Sequence, residues 1–351
     1  MPYAIVAGMA QDFLKVVQVG CGQMGQGWVE SAAATRGLAG VGLVDLNCTM
    51  AQETAVRFKL PPGVVFSSLK EALAATGADV VFDVTVPDAH EAVVVEALES
   101  GCHVLGEKPM SDSLASARRM VAAANRTGKI YAITQTQRYR PPIRALQSFL
   151  AGGAIGAVQE AHADFFIGPH FGGFRDQMDF PLLMDMSIHT FDAARFLTGA
   201  DPLSVYCHSF NPARSWYKGD ASAIVIFEMT GGVVFCYRGS WCALGERTDW
   251  HSQWRILGSA GSVVWDGEMA FSAEAIVPGS TPEFFDSIRK LKVPVASMPV
   301  ERHAALMAEF VAALRAGRPP ETNCQDNIKS LAMVLAAVES AKTGRKVAVQ
   351  W

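Results

Sequence analysis

Short apolar runs alternate with amphipathic stretches through the first part of the chain. Lys15-Val-Val-Gln-Val19 is β-branched and stopped by Gly20, which predicts a buried strand running into a glycine turn. Small and apolar residues then recur at helical spacing from Gln23 to Arg36, and the apolar run 41–44 predicts a second strand ending at Asp45. The alternation continues with a helix over 48–58, a strand at 64–66, a helix at 68–75 and the apolar strand 80–86, which Pro87 ends. A helix over 89–100, a strand at 103–105, a Ser111-capped helix to Asn125 and a strand at 130–134 complete the series. Strand–helix units of this length imply a doubly wound parallel sheet.

The texture changes after Arg138-Tyr-Arg-Pro-Pro142. A helix at 143–151 precedes alternating strands at 157–167, 203–210, 221–230 and 232–241, with Thr230-Gly-Gly232 as a hairpin turn. Strands without intervening helices predict antiparallel pairing. Two helices, 302–316 and 326–342, close the chain. The expected division is a first domain over 1–137 and an α+β domain over 138–351, for substrate binding and oligomerisation, the closing helices belonging to the second or packing back on the first.

The turn itself carries chemistry. Gly20-Cys-Gly22-Gln-Met-Gly25 is a G-x-G-x-x-G placed after a predicted strand and opening a predicted helix, the context in which the pattern means a dinucleotide site. Gly20 permits the tight turn, Gly22 lets the backbone approach a pyrophosphate, and Gly25 allows close helix packing; Gln23 and Met24 lie on the first helical turn, whose amides face the phosphates. Asp45 is placed to accept from the ribose hydroxyls and to repel a 2′-phosphate, so NAD is expected over NADP. The fold class is accordingly α/β: an N-terminal Rossmann sheet, doubly wound and parallel, plus a C-terminal α+β domain with an open, mostly antiparallel sheet.

Composition narrows the field. Of 351 residues, 50% are apolar and 18% charged, which describes a packed enzyme and not a disordered chain. The net charge of −4, with no basic run, disfavours nucleic acid. Seven scattered cysteines without a C-x-x-C pair argue for a reducing compartment, and neither a metal site nor a disulfide framework is expected. With no signal-like segment in the N-terminal extension and no membrane-spanning run, the expected setting is cytoplasmic.

Two further clusters stand out. Glu107-Lys108-Pro109 follows the strand 103–105, and loops after parallel strands face the ligand crevice; a lysine there can donate to an alcohol oxygen and stabilise alkoxide charge. Asp185 and His189, with Asp192, share a face of a predicted helix. Alone, that pair reads first as a helix salt link or a core histidine; as a functional pair, His189 takes a hydroxyl proton while Asp185 positions the substrate. His170 lies in a glycine-rich loop that reads either as a surface turn or as a substrate contact, and Trp216, Trp241, Trp250 and Trp254 read equally as core or as a subunit contact.

These pieces, in this order, resemble the Gfo/Idh/MocA family, the glucose-fructose oxidoreductase and inositol dehydrogenase group. The resemblance rests on the fingerprint at 20–25, Val86-Pro87-Asp-Ala-His90, the run from Ala97 to Pro109, Gln137-Arg138-Tyr139, Gly152-Gly-Ala-Ile-Gly156 and Asp185 to His189. It implies Lys108, Asp185 and His189 as the catalytic set, Thr85, Val86, Pro87 and His90 lining the cofactor, Glu107 near the nicotinamide ribose, and Arg138 and Tyr139 approaching the substrate. The implied activity is NAD-dependent oxidation of a secondary hydroxyl of a sugar, sugar derivative or cyclitol, in a homodimer or homotetramer formed through the C-terminal sheet. An NAD-dependent glycoside hydrolase using transient oxidation, or a non-catalytic nucleotide-binding regulator, are the alternatives. Two positions depart from the family pattern: Phe180-Pro181 stands where many relatives carry Gly-Gly, and Trp28 where histidine is frequent.

Overall fold

The structure, a computed structural model, describes residues 13–351. Residues 1–12, within the stretch read as an N-terminal extension, lie outside the described residues. The chain forms two compact units, one of residues up to 139 together with 300–328, the other of 140–299 together with 329–351.

The first unit is built on six parallel strands: β1 (Leu14–Val19), β2 (Leu38–Val44), β3 (Val65–Phe66), β4 (Val80–Asp83), β5 (His103–Gly106) and β6 (Tyr131–Ile133), in the order β3-β2-β1-β4-β5-β6. Between them run α1 (Gln23–Ala34), α2 (Cys48–Arg57), α3 (Leu69–Thr76), α4 (His90–Glu99) and α5 (Leu114–Thr127). This is the doubly wound order expected from the sequence, and it reverses between β1 and β4, where the crevice at the strands' carboxyl ends opens. Val17, Val80, Val81 and Phe82 are buried because both sheet faces carry helices.

The second unit begins with α6 (Pro141–Ala151) and β7 (Val158–Phe166), followed by α7 (Ile188–Thr198) and strands β8 (Pro202–Phe210), β9 (Ser222–Met229), β10 (Val234–Ser240), β11 (Gln253–Gly258), β12 (Gly261–Trp265), β13 (Phe271–Ile276) and β14 (Ile288–Leu291). Two helices follow, α8 (Arg302–Ala316) in the first unit and α9 (Cys324–Thr343), and then β15 (Val347–Ala348). The strand order is β14-β13-β12-β11-β7-β10-β9-β8-β15, and every neighbouring pair is antiparallel except β7 and β10. The sequence reading found the hairpin joining β9 to β10 but passed over β11 to β15.

Alternation along β9 buries Val225, Phe227 and Met229 and leaves Ile224 and Ile226 outward. Phe191 of α7 meets Phe227, Tyr237 and Phe235 edge-on at centroid separations of 4.9, 5.3 and 6.1 Å, fixing the helix on the inner sheet face.

Candidate active site

The β1–α1 turn has the geometry its glycines predict. Gly20 lies at φ +96°, and a Cβ there would overlap the Val84 carbonyl oxygen at the end of β4. A Cβ on Gly25 would overlap the Gly20 oxygen, so α1 seats on the turn only with glycine at that position. A Cβ on Gly22 would point into open space with nothing within 4 Å, the side from which a pyrophosphate can approach the backbone. No side chain caps α1, and no acid stands in its first turn, so the amide ends and dipole face an anion uncompensated.

Asp45 closes this turn. Its Oδ2 accepts from the Cys21 amide at 2.7 Å and its Oδ1 from the Asn47 amide at 2.8 Å. Each oxygen keeps a further lone-pair site for a ribose hydroxyl. Burial, with Asp45 adding its charge, pushes the Cys21 thiol up to about 12, so it stays protonated beside the turn. Met24 on the first turn of α1, and Leu46 and Val86 in the loops after β2 and β4, are exposed apolar side chains, and an adenosine would cover such surface. The residues present fit a dinucleotide.

His90 and Thr85 are held from below. The buried Asp83 accepts from Thr85 Oγ1 at 2.6 Å and pairs with His90 Nδ1 at 2.8 Å. His90 is only 1% exposed, so it shapes the 84–89 loop from beneath, while Val86 stands open to solvent.

The end of β5 is more tightly organised than the sequence suggests. Glu107 is buried; its Oε1 accepts from the Trp28 indole at 2.8 Å, and its Oε2 from the Lys108 amide at 2.9 Å. His303 Nε2 of α8 lies 3.8 Å from the same Oε1, and its ring meets Trp28 edge-on. Burial alone would raise the Glu107 pKa, but the His303 contact, the Lys108 charge and the Trp28 and backbone donors together lower it. Glu107 is thus an ionised clamp beneath the half-buried Lys108. Trp28, one of the two departures from the family pattern, is the residue that supplies its donor.

Arg138 and Tyr139 do not lie open to a ligand. They are 5% and 2% exposed, with Arg138 bonded to Glu321 O and Asp326 and Tyr139 to Glu309. Neither pairing is visible in sequence, because the partners lie far along the chain, in the closing helices and the loop between them.

In the second unit the helix expected to carry Asp185 and His189 on one face is not uniformly α. Leu182–Ser187 is a π-turn, entered from Pro181, and α7 proper starts at Ile188. A π-turn widens the repeat and often marks a functional segment. Asp185 and His189 are half-buried, whereas Asp192 points into the core, where it accepts from Ser330 at 2.8 Å. The Asp185 carboxylate accepts from Arg175 Nε at 2.7 Å. The Arg175 guanidinium in turn stands over the Phe171 and Phe174 rings at 5.2 and 4.7 Å. His170, on the same loop, stacks on Trp216 at 3.7 Å. Phe180 carries the Lys342 ammonium 5.5 Å above its ring.

Sequence reasoning missed Arg175, which lies five residues beyond His170 in the same glycine-rich loop, and His303, which lies almost two hundred residues from its partner Glu107. All seven cysteines are free. Among the described residues no group of three His, Cys, Asp or Glu side chains is placed to hold a metal, and no helix is long and apolar enough to cross a membrane.

A family model described as "Oxidoreductase family, NAD-binding Rossmann fold" (GFO/IDH/MocA) matches residues 14–135, and the GFO/IDH/MocA C-terminal domain matches 143–264. The chain is similar to 1,5-anhydro-D-fructose reductase of Ensifer adhaerens, 24% identical over 340 residues, covering 95% of this chain and 97% of that protein. It is also similar to D-apiose dehydrogenase of Paraburkholderia graminis, 24% identical over 345 residues, covering 94% and 88%. In fold it matches an oxidoreductase from Agrobacterium radiobacter, solved in complex with NAD+, L-tartaric acid and magnesium, with a TM-score of 0.83 at 22% identity over 96% of this chain and 98% of that one.

Proposed function

Since the chain belongs to the GFO/IDH/MocA oxidoreductase family, with an NAD-binding Rossmann domain at 14–135, we propose that it oxidises a secondary hydroxyl of a sugar, sugar derivative or cyclitol. The observation that carries this reading is the match to both domains of the family in a chain that keeps the open Gly22 turn together with Lys108, Asp185 and His189. Bound NAD supplies the hydride acceptor. His189 takes the hydroxyl proton as general base, Lys108 donates to the substrate oxygen and stabilises its developing negative charge, and Asp185 holds the reacting hydroxyl or its neighbour. Proton and hydride leave the same carbinol, which becomes a ketone. Relatives named for an anhydro sugar and for apiose support this substrate class.

NAD is preferred over NADP in this reading, because Asp45 sets a carboxylate where a 2′-phosphate would fall and the nearby Arg57 is engaged with Gln26. The outer face of the second sheet exposes Leu203, Tyr206, Ile224 and Ile226, an apolar surface suited to a homo-oligomer. The test is a panel of sugars, sugar acids and cyclitols incubated with NAD and followed at the reduced-nicotinamide band. Turnover-linked growth of that band supports the reading; a flat trace across the panel with confirmed NAD binding overturns it.

A further inference from the structure

A cavity of about 390 Å³ opens where β7 passes into Ile167, within the range of small-molecule pockets of about 300–1,000 Å³. Its walls are Arg247, Thr248 and Trp250 from the loop before β11, Asp266 and Glu268 from the turn after β12, and Asp249. Three carboxylates against one guanidinium make it unfavourable for an anion, and an apolar ligand would strip water from those charges without replacing their hydrogen bonds. A neutral, hydroxylated ring suits every wall. Trp250 is 43% exposed and offers an apolar face to ring C–H groups, while the polar walls match hydroxyls. Asp266 spends Oδ1 on the amides of Glu268 and Ala270, at 2.8 and 3.1 Å, which leaves its Oδ2 available. Among the described residues the Arg247 and Glu268 side chains have no hydrogen-bond partner.

The cavity is coupled to the segment that bears Asp185 and His189 from two sides. Trp250 stands 6.3 Å from the Phe171 ring, Phe171 carries the Arg175 guanidinium at 5.2 Å, and Arg175 donates to Asp185 at 2.7 Å. On the other side, Ser252 is fully buried at φ +66° and shares a hydrogen bond of 3.1 Å with Thr190, the neighbour of His189. One aromatic layer therefore separates the cavity wall from the Arg175–Asp185 pair. On the reading that Asp185 and His189 serve the oxidised hydroxyl, we propose that this cavity is a second glycosyl subsite. It takes a hydroxylated ring linked to the one being oxidised, so the preferred substrate is a glycoside or disaccharide and not a free monosaccharide.

The experiment is saturation-transfer NMR on the full-length protein with NAD, using cellobiose, maltose, lactose and chitobiose against D-glucose, D-galactose and N-acetylglucosamine, with NAD reduction followed in parallel. Saturation of both rings of at least one disaccharide is expected, and Trp250→Ala or the surface change Glu268→Gln should remove it from one ring. A kcat/KM advantage of about tenfold or more for that disaccharide over its monosaccharide should shrink with it. Two-ring saturation without NAD reduction would keep the subsite and overturn the dehydrogenase reading. Equal turnover of monosaccharide and disaccharide, a disaccharide advantage that both variants retain, or no disaccharide binding at all would overturn the subsite.

Discussion

The Trp28 indole donates to Glu107 Oε1 at 2.8 Å, and this bond ties the first helix to the strand end that presents Lys108. Trp28 itself is wholly buried. Trp28→Phe keeps most of the packing but strands a buried carboxylate oxygen, a loss of about 1–3 kcal/mol. Urea unfolding should show that drop, and kcat should fall with it because the turn carrying Lys108 loosens. An unchanged midpoint would mean that Glu107 finds another donor.

Glu107 also sets an acid dependence. Its carboxyl is held below its ordinary range when folded, so its ionised form contributes stability that is fully present above the unfolded pKa and lost as pH falls through the folded one. Glu107→Gln should therefore be less stable than wild type at pH 7, with the gap narrowing as pH drops below the ordinary carboxylate range. Unfolding curves at neutral pH and at about pH 3.5 measure this; a gap that widens on acidification would refute the assignment.

Removing a proposed catalytic group should cost turnover and spare the cofactor. Lys108→Ala and His189→Ala are each expected to lower kcat by about 10²–10⁴-fold, the usual worth of a positioned acid–base group. NAD affinity, read by fluorescence titration, should change little. Undiminished turnover in either variant removes that residue from the mechanism.

Asp45 does two things at once, organising the Cys21 and Asn47 amides and facing the ribose. Asp45→Ala should shrink the preference for NAD over NADP by about tenfold, one charge repulsion being worth roughly 1.4 kcal/mol. Comparing kcat/KM for the two cofactors checks it. Wild-type protein that uses NADP as well as NAD would show the proposed repulsion to be absent.

Arg175→Met separates two accounts of the Arg175–Asp185 pair. The arginine side chain is 32% exposed, so its ion pair contributes at most about 1 kcal/mol to stability. If Asp185 must be held in place to orient substrate, kcat/KM should fall about tenfold or more while the unfolding midpoint barely moves. A stability loss without a kinetic one would make the pair structural.

Local pattern sufficed for much of this molecule. The six-strand parallel sheet was legible because its strands are short, mostly apolar runs that alternate with amphipathic helical stretches, and the dinucleotide turn was legible because three glycines and one acid stand at fixed distances along the chain. Those signals are short-range, and short-range sterics decide them. Strands β11 to β15 were not legible: β12, β13 and β14 are short segments in consecutive local pairings, where propensity is weak and context-dependent, and β11 and β15 take their places from β7 and β8, far away in sequence. For the same reason the partners of Glu107, Trp28 and His303, and those of Arg138, Asp326 and Glu321, were not legible. Sequence spacing also put Asp185 and His189 on a regular helix, where tertiary packing instead selected a π-turn and set Arg175 against the carboxylate. The kind of residue and its local conformation belong to the sequence. Which buried polar group meets which partner depends on long-range packing, because an unpaired group in the interior costs more than any local preference returns.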